Sequence, residues 1–266
     1  MAASLEGVEG LLLDLSGVIY VQDEAVPGAA EALDRLRAAD IPIRLVTNTT
    51  MRPRRSILER LERLGIEADP RELITPASLA ARRCAEAGYE SVSLVVLDEL
   101  REDLEGLEER GDAADAVIVG DLGDRWDYEI LNRAFRRLMD GAALIALQRN
   151  RYWETSEGLS LDAGPFVAAL EYATGREAEV MGKPSAAFFE LALGELGVSA
   201  ERAAMVGDDV EADVGGAMEA GLAGILVRTG KYREDLVDVS GIKPTATVDS
   251  IADIPGLIGP LLSGQV

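Results

Sequence analysis

The chain has 266 residues, of which 48% are hydrophobic, and it carries a net charge of −22. This length allows a large buried core in one large or two smaller domains, while the acidity excludes nucleic acid as a partner, since phosphates are neutralised by clustered Lys and Arg. Histidine is absent and Cys84 is the only cysteine, which excludes Ser-His-Asp and Cys-His catalysis and a zinc site built on imidazole. Any catalysis must therefore rest on carboxylates, hydroxyls, Lys and Arg, with or without a hard metal ion.

Hydropathy along the chain indicates no membrane-spanning segment. No apolar run reaches the roughly 18 residues that would suggest one, and MAASLEGVEG lacks the basic segment and apolar stretch of a secretion signal. We therefore expect a cytoplasmic protein without a membrane partner. Two explanations of the acidity stay open: a solvated surface, or adaptation to a salty cytoplasm that screens the repulsion between charges.

Short apolar runs alternate with amphipathic segments along the chain. The apolar runs predict strands buried on both faces, at residues 11–15, 41–46, 92–97, 115–120, 142–147, 203–208 and 223–229. Apolar residues at helical spacing, with Pro and Gly as start and stop signals, predict helices that include residues 27–39, 53–65, 185–197 and 211–221. This alternation predicts parallel sheets in a doubly wound, Rossmann-like α/β fold.

Polar side chains follow the first two predicted strands, where ligands collect in parallel α/β sheets. Asp14 closes the first strand in LLLDLSGV, and Thr47 and Asn48 close the second in IRLVTNTT. Each residue also has a structural explanation, because Asp14 suits a turn and Thr47 or Asn48 suits a helix cap. Taken singly, these residues do not establish a site.

Lys183 and a group of aspartates are the next candidates along the chain. Lys183 lies in a Gly-Lys-Pro turn before a predicted helix, where its ammonium group could neutralise phosphate charge. Asp208 and Asp209 end a predicted strand, with Asp213 five residues beyond Asp208. Carboxylates clustered at a strand end suit Mg²⁺, although the start of the next helix would attract them as well.

The order of these motifs resembles the haloacid dehalogenase superfamily: a strand-end Asp, a strand-end Thr, a Lys before a helix, and a Gly-Asp-Asp pair. The similarity covers nearly the whole chain and extends through VPGAAEALDRLR, GKPSAAFFELAL and GDDVEADVGGAMEAG. The sequence is similar to the subfamily IIA members, in which a large α/β cap is inserted between the second and third motifs. This resemblance implies a discontinuous core domain, residues 1–76 and 182–266, and an inserted cap domain, residues 77–181. It also allows a homodimer through the cap, while the residues themselves leave the oligomeric state open.

The resemblance implies how the acidic residues would act. Asp14 would attack phosphorus and form an aspartyl-phosphate, which water then hydrolyses. Mg²⁺ would be held by the carboxylates of Asp14 and Asp208 and by the backbone carbonyl of Ser16. Asp209 and Asp213 would orient the metal's waters or the catalytic lysine.

The resemblance also implies which groups hold the small phosphorylated substrate. Thr47 and Lys183 would bind the oxygens of the transferring phosphoryl group. The backbone amides of Leu15, Ser16 and Asn48 would assist them.

Ser16 departs from the superfamily pattern, in which most phosphatases carry an Asp at this position as general acid and base. Losing such a group typically costs about 10²–10⁴-fold in rate. Two explanations stay open: slow turnover, or substrates whose leaving group needs little protonation, such as pyrophosphate, phosphoramidates and aryl phosphates. We expect a magnesium-dependent phosphatase acting on small compounds of the second kind. A sugar or nucleotide phosphatase and a phosphate-binding regulatory protein with a weakened site are the alternatives.

Overall fold

The structure is a computed structural model that describes residues 5–110, 113–155 and 158–262. Its internal contacts divide the chain into two compact units, of which the first comprises residues 5–47, 55–74 and 183–262. The second comprises residues 48–54 and 75–182, where these are described. Within the described ranges, no helix combines the length and apolar character needed to cross a membrane.

The first unit is built around a parallel sheet. Its strands, numbered along the whole chain, are β1 (Gly10–Asp14), β2 (Tyr20–Val21), β3 (Glu24–Ala25), β4 (Ile43–Val46), β5 (Leu73–Ile74), β13 (Ala203–Gly207), β14 (Ala223–Val227) and β15 (Ala246–Val248). Six of them form one sheet in the order β15-β14-β13-β1-β4-β5, with parallel pairing throughout. β2 and β3 form a separate antiparallel hairpin. β1 therefore lies inside the sheet, between β13 and β4.

Helices cover this sheet. They are α1 (Ala29–Ala38), α2 (Arg54–Arg63), α6 (Ala186–Leu196), α7 (Gly216–Glu219), α8 (Glu234–Ser240) and α9 (Ile254–Leu262). α6 begins after its capping residue Ser185, whose hydroxyl accepts a hydrogen bond from the Phe188 N–H at 3.1 Å. It ends before Gly197, whose left-handed conformation, with φ of 80°, suits the residue after a helix.

β1 is buried along its whole length, which requires apolar neighbours on both faces. On one face, Leu11 and Leu13 belong to a cluster with residues of α1, α2 and α9: Leu33, Leu36, Ile57, Leu61 and Ile258. On the other face α6 packs against β1 and β4, so closely that a Cβ at Gly10 would lie 3.0 Å from the Leu196 side chain. Burying each leucine stabilises the fold by roughly 1.5–3 kcal/mol. The predicted doubly wound α/β fold is confirmed.

The second unit contains its own parallel sheet. Its strands are β6 (Ser91–Val95), β7 (Glu108–Glu109), β8 (Ala116–Val119), β9 (Ala143–Ala146), β10 (Tyr152–Thr155), β11 (Gly158–Leu161) and β12 (Glu179–Val180). Five of them form a sheet in the order β12-β9-β8-β6-β7, and β10 and β11 form an antiparallel hairpin. The helices of this unit are α3 (Pro76–Ala87), α4 (Tyr128–Met139) and α5 (Ala163–Thr174). Cys84 is buried in α3, where burial raises the pKa of its thiol to about 11 and keeps it protonated as a packing residue.

The helix predicted at residues 211–221 is wrong in its form. The segment Val210–Gly215 is a π-helical turn, and α7 occupies only Gly216–Glu219. The adjacent glycines at 215 and 216 weaken an α-helix, and a Cβ at Gly216 would lie 2.6 Å from Pro184. Such wide turns often occur at functional sites, and this one carries Asp213.

Candidate active site

The polar residues that follow β1, β4 and β13 meet at one edge of the six-stranded sheet. Asp14, the last residue of β1, is in register with Val46 of β4, and Leu13 is in register with Val206 of β13. Thr47 and Asp208, which directly follow these neighbouring strands, therefore lie at the same edge. All three polar residues are buried, with 3–6% of their surface exposed. The sheet thus gathers two carboxylates and a hydroxyl around the end of an interior strand.

Lys183 connects two carboxylates of this site. Its Nζ lies 2.5 Å from Asp14 Oδ1 and 2.6 Å from Asp213 Oδ1. Lys183 is buried and stands two residues before the α6 cap Ser185. A buried ammonium group is stable only when it is paired. The two ion pairs therefore stabilise the buried Lys183, and Lys183 in turn fixes the positions of Asp14 and Asp213.

Two glycines allow the backbone to approach Asp208. A Cβ at Gly17, whose φ is 96°, would lie 1.8 Å from Asp208 Oδ2, and a Cβ at Gly230 would lie 2.1 Å from the same atom. Asp208 Oδ2 accepts a hydrogen bond of 2.6 Å from the Lys231 N–H, and the Thr229 hydroxyl donates to the Gly17 carbonyl. The loops after β1 and β14 are thereby fastened around this carboxylate.

Asp213 reaches the site because Gly207 has no side chain. A Cβ at Gly207 would lie 2.2 Å from Asp213 Cβ and 2.4 Å from Asp213 Oδ2. The Asp209 N–H donates to Asp213 Oδ2 at 3.2 Å. The π-helical turn and the absence of a Cβ at Gly207 together place Asp213 beside the ammonium group of Lys183.

We expect Gly207→Ala to displace Asp213 from Lys183. The added methyl group has no space, and overpacking of this kind costs about 1–3 kcal/mol. A displacement of about 1 Å can lower a rate by about 10²-fold, so the phosphatase activity expected from the sequence should fall by about ten-fold or more. Thermal unfolding and phosphate release measure both effects. Gly256→Ala is the control, because a Cβ at Gly256 in α9 would meet nothing within 4 Å and should leave activity unchanged. Wild-type activity and Tm in Gly207→Ala would contradict this account of Asp213.

The buried charges of the site do not balance. The carboxylates of Asp14, Asp208 and Asp213 are buried together with one ammonium group, that of Lys183. Burial raises the pKa of Asp14 to about 7, an effect that Lys183 only partly offsets, and burial raises the pKa of Asp208 to about 6. Burial by itself would lower the pKa of Lys183, but Asp14 and Asp213 raise it above its ordinary value. With all three aspartates ionised, two negative charges are uncompensated.

This arrangement fits a divalent cation. One oxygen each of Asp14, Asp208 and Asp213 lies within 4.8 Å of the other two. Mg²⁺ prefers a few carboxylates, with waters and substrate oxygens completing its coordination, and its charge equals the surplus. The residues present therefore suit the predicted Mg²⁺.

Asp209, Ser16 and Asn48, the other residues predicted for the site, occupy different environments. Asp209 caps the π-helical turn, its Oδ1 accepting from Ala212 N–H at 2.9 Å, and its Oδ2 lies 3.5 Å from Lys231 Nζ. The Ser16 side chain is exposed beside the buried Asp14. Asn48 belongs to the second unit, and its role stays a prediction.

The predicted role of the Leu15 amide is wrong. Its N–H was expected to contact the phosphoryl group, but it donates to the Val46 carbonyl at 3.1 Å. The parallel pairing of β1 with β4 continues one residue past Asp14 and uses this amide. The candidates from the sequence do not include Lys231 and Gly230, which lie in VRTGKYR at the end of a predicted strand.

Comparison with known proteins identifies the class of this fold and site. Two family models match: HAD-hydrolase-like over residues 180–254, and haloacid dehalogenase-like hydrolase over residues 11–109. The chain therefore belongs to the haloacid dehalogenase-like hydrolase family, as the motif order predicted, and it is an enzyme of the phosphatase type.

Particular relatives match nearly the whole chain. Haloacid dehalogenase-like hydrolase domain-containing protein 2 of Homo sapiens is 44% identical over 248 residues, which cover 93% of this chain and 95% of that protein. Phospholysine phosphohistidine inorganic pyrophosphate phosphatase of Homo sapiens is 37% identical over 260 residues, covering 96% of this chain and 95% of that protein. Among solved structures, p-nitrophenyl phosphatase from Archaeoglobus fulgidus is 29% identical, with a TM-score of 0.86 and coverage of 94% of this chain and 99% of that one.

Proposed function

We propose that this chain is a Mg²⁺-dependent phosphatase that works through an aspartyl-phosphate on Asp14. The observation that carries the proposal is the position of Asp14 at the end of an interior strand, buried against Lys183 and within 4.8 Å of Asp208 and Asp213 through their carboxylate oxygens. A buried carboxylate with a lysine contact and a surplus of neighbouring negative charge suits nucleophilic attack on a phosphoryl group that arrives with a cation.

We propose that Asp14 attacks phosphorus and displaces the leaving group, which departs with the electrons of its bond to phosphorus. Water then attacks the aspartyl-phosphate at phosphorus. This second step releases inorganic phosphate and restores the Asp14 carboxylate, with the water proton passing to phosphate or solvent. Lys183 orients Asp14 through Oδ1, while Asp213 holds Lys183 in position. Lys183 and the buried hydroxyl of Thr47 bind phosphoryl oxygens at the same strand edge.

Asp14 and Asp208, with the Ser16 carbonyl, would hold the metal ion, and Asp213 would hold Lys183. When bound, Mg²⁺ neutralises the charge of the phosphoryl group and of the carboxylates around it. The residues 77–181 would act as a cap that contributes substrate contacts, and the enzyme would work in the cytoplasm.

The substrates proposed are small compounds with good leaving groups: pyrophosphate, phosphoramidates or aryl phosphates. Ser16 supports this class, because its hydroxyl is a poor general acid and the leaving group must depart with little protonation. The names of two relatives are consistent with it, since one acts on phospholysine, phosphohistidine and pyrophosphate and another on p-nitrophenyl phosphate.

A substrate panel tests the proposal. Phosphate release is measured with Mg²⁺ and with EDTA, from pyrophosphate, p-nitrophenyl phosphate, phospholysine and glucose 6-phosphate. We expect release only with Mg²⁺, and about 10²-fold faster for the first three, because the sugar alkoxide needs the general acid that Ser16 does not provide. Equal or faster turnover of the sugar phosphate would contradict the proposed substrate class. Phosphate binding without turnover of any substrate would instead favour a phosphate-binding regulatory protein.

A further inference from the structure

A cavity in the second unit is basic, although the segment around it is acidic. Residues 75–182 contain 11 arginines and no lysines against 22 carboxylates. Five of these arginines nevertheless line one cavity of about 490 Å³, together with the carboxylates of Asp98 and Glu109. This arginine cavity is defined by Arg101, Arg110, Arg125, Arg133 and Arg137. Asp98 and Glu109 both pair with Arg101. The lining still holds three more arginines than carboxylates, and this excess of positive charge suits an anionic ligand.

One wall of the arginine cavity is a face of α4. Ile130, Arg133, Ala134 and Arg137 line the cavity, and their spacing of three and four residues places them side by side on the helix. α4 packs against β6 and β8, which holds this face at a set position over the sheet. The helix thus presents two guanidinium groups next to two apolar side chains.

The other walls come from the edge of the sheet. Arg101 lies in the 3-10 segment Asp98–Leu104 that follows β6, and Arg110 follows the two-residue edge strand β7. The backbone N–H of Arg110 donates to the Val92 carbonyl at 3.1 Å, which fixes this residue to β6. Leu94 of β6 lines the floor and is partly exposed. Basic groups therefore surround a floor with an accessible apolar surface.

The glutamates that pair with Arg133 and Arg110 are exposed and easily exchanged. Arg133 contacts Glu129 at 3.0 Å and Arg110 contacts Glu108 at 2.7 Å, and the two glutamate side chains are 79% and 62% exposed. Surface pairs of this kind contribute about 0–1 kcal/mol. A phosphate group forms stronger, frequently bidentate hydrogen bonds with Arg. A phosphorylated ligand would therefore compete effectively with both glutamates.

We propose that the arginine cavity binds a nucleotide-sized organic phosphate, with the phosphate on Arg133 and Arg137 and the apolar or planar body against Leu94 and Ile130. The volume lies within the range of small-molecule sites, about 300–1,000 Å³, and the lining combines convergent cations with apolar walls. Every lining residue belongs to the second unit, so the proposal goes beyond the proposed phosphatase function and does not depend on it. As a noncatalytic site, the cavity would serve as an effector site.

Calorimetric titration of the full chain with AMP and ADP, in EDTA and at low salt, tests this proposal. We expect saturable binding with one nucleotide per chain. In the double variant R133Q/R137Q the affinity should fall by about ten-fold or more, because two charge-assisted contacts are lost. R136Q is the matched control, since Arg136 lies on the same helix but does not line the cavity, and it should bind as the wild type does. Adenosine, which lacks the phosphate, should bind much more weakly than AMP.

Three results would overturn the proposal. These are the absence of saturable nucleotide binding to the wild-type chain, equal affinities in R133Q/R137Q and the wild type, and loss of binding in Lys183→Met, which would assign the nucleotide to the candidate active site. An unchanged Tm in R133Q/R137Q would show that the double variant is folded. If its Tm falls, Arg133→Gln alone replaces it, because Arg133 is exposed and its single substitution should not affect folding.

Discussion

The Asp14→Asn variant is expected to lose phosphatase activity by about 10⁴-fold or more and to be more stable than the wild-type chain when divalent cations are removed. Activity is lost because an amide does not attack phosphorus. Stability rises because the substitution removes one of two uncompensated buried negative charges, while Lys183 keeps Asp213 as its partner at 2.6 Å. A gain of about 1 kcal/mol would raise Tm by about 2–4 °C in a chain of this size. Steady-state phosphate release and thermal unfolding in EDTA measure the two effects.

Asp34→Asn is the control for this experiment. The Asp34 side chain is 75% exposed on α1, so its substitution should change neither activity nor Tm appreciably. Mg²⁺ should raise the Tm of the wild-type chain by binding the folded state, and it should raise that of Asp14→Asn less. Residual activity within about ten-fold of the wild type would remove Asp14 as nucleophile, and a lower Tm in EDTA would contradict the charge imbalance.

Ser16→Asp should extend the substrate range more than it raises activity on good leaving groups. A carboxyl group two residues after Asp14 would supply the proton that an alkyl leaving group needs, and general acid–base catalysis typically contributes about 10²–10⁴-fold. Turnover of glucose 6-phosphate should therefore rise by about 10²-fold or more. Turnover of p-nitrophenyl phosphate should change by less than about ten-fold, since its leaving group departs with little assistance. Comparison of kcat/KM for the two substrates measures the difference.

Ser16→Ala is the control for Ser16→Asp. It removes the serine hydroxyl without adding a carboxyl group, so it distinguishes the effects of these two changes. Ser16 is exposed, so its replacement by Ala should preserve folding and leave the order of substrates unchanged. Ser16→Asp adds a further negative charge next to Asp14, and its Tm in EDTA should fall. A uniform change for both substrates would show that position 16 does not act on the leaving group, and the proposed substrate class would then lose its main support.

The excess negative charge buried at the site lowers the stability of the fold, and the same carboxylates are the groups proposed to function there. Asp14, Asp208 and Asp213 would be costly neighbours in a purely structural core, yet the fold keeps them together by omitting side chains at Gly17, Gly207 and elsewhere in the site. Activity and stability are expected to change in opposite directions on Asp14→Asn, which is typical of sites that use destabilised groups.

The fold class and the first candidates for the site follow from the amino-acid sequence alone. The predicted strands agree with β1, β4, β6, β8, β9, β13 and β14 to within two residues at each end. The strands could be predicted because a strand buried on both faces is a short apolar run, whichever strand it pairs with. The strand ends in turn indicated Asp14, Thr47 and Asp208, because parallel strands place their carboxyl ends at one edge.

Which polar atoms contact one another depends on the tertiary fold. Pairing with β4 occupies the Leu15 amide, the wide turn at Val210–Gly215 places Asp213 on Lys183, and the loop after β14 places the Lys231 N–H on Asp208. The arginine cavity likewise combines residues of α4 with residues that follow β6 and β7. Local patterns determine strands and helices because these depend on near neighbours, whereas such contacts join residues distant in sequence and depend on register, strand order and the space that individual glycines leave.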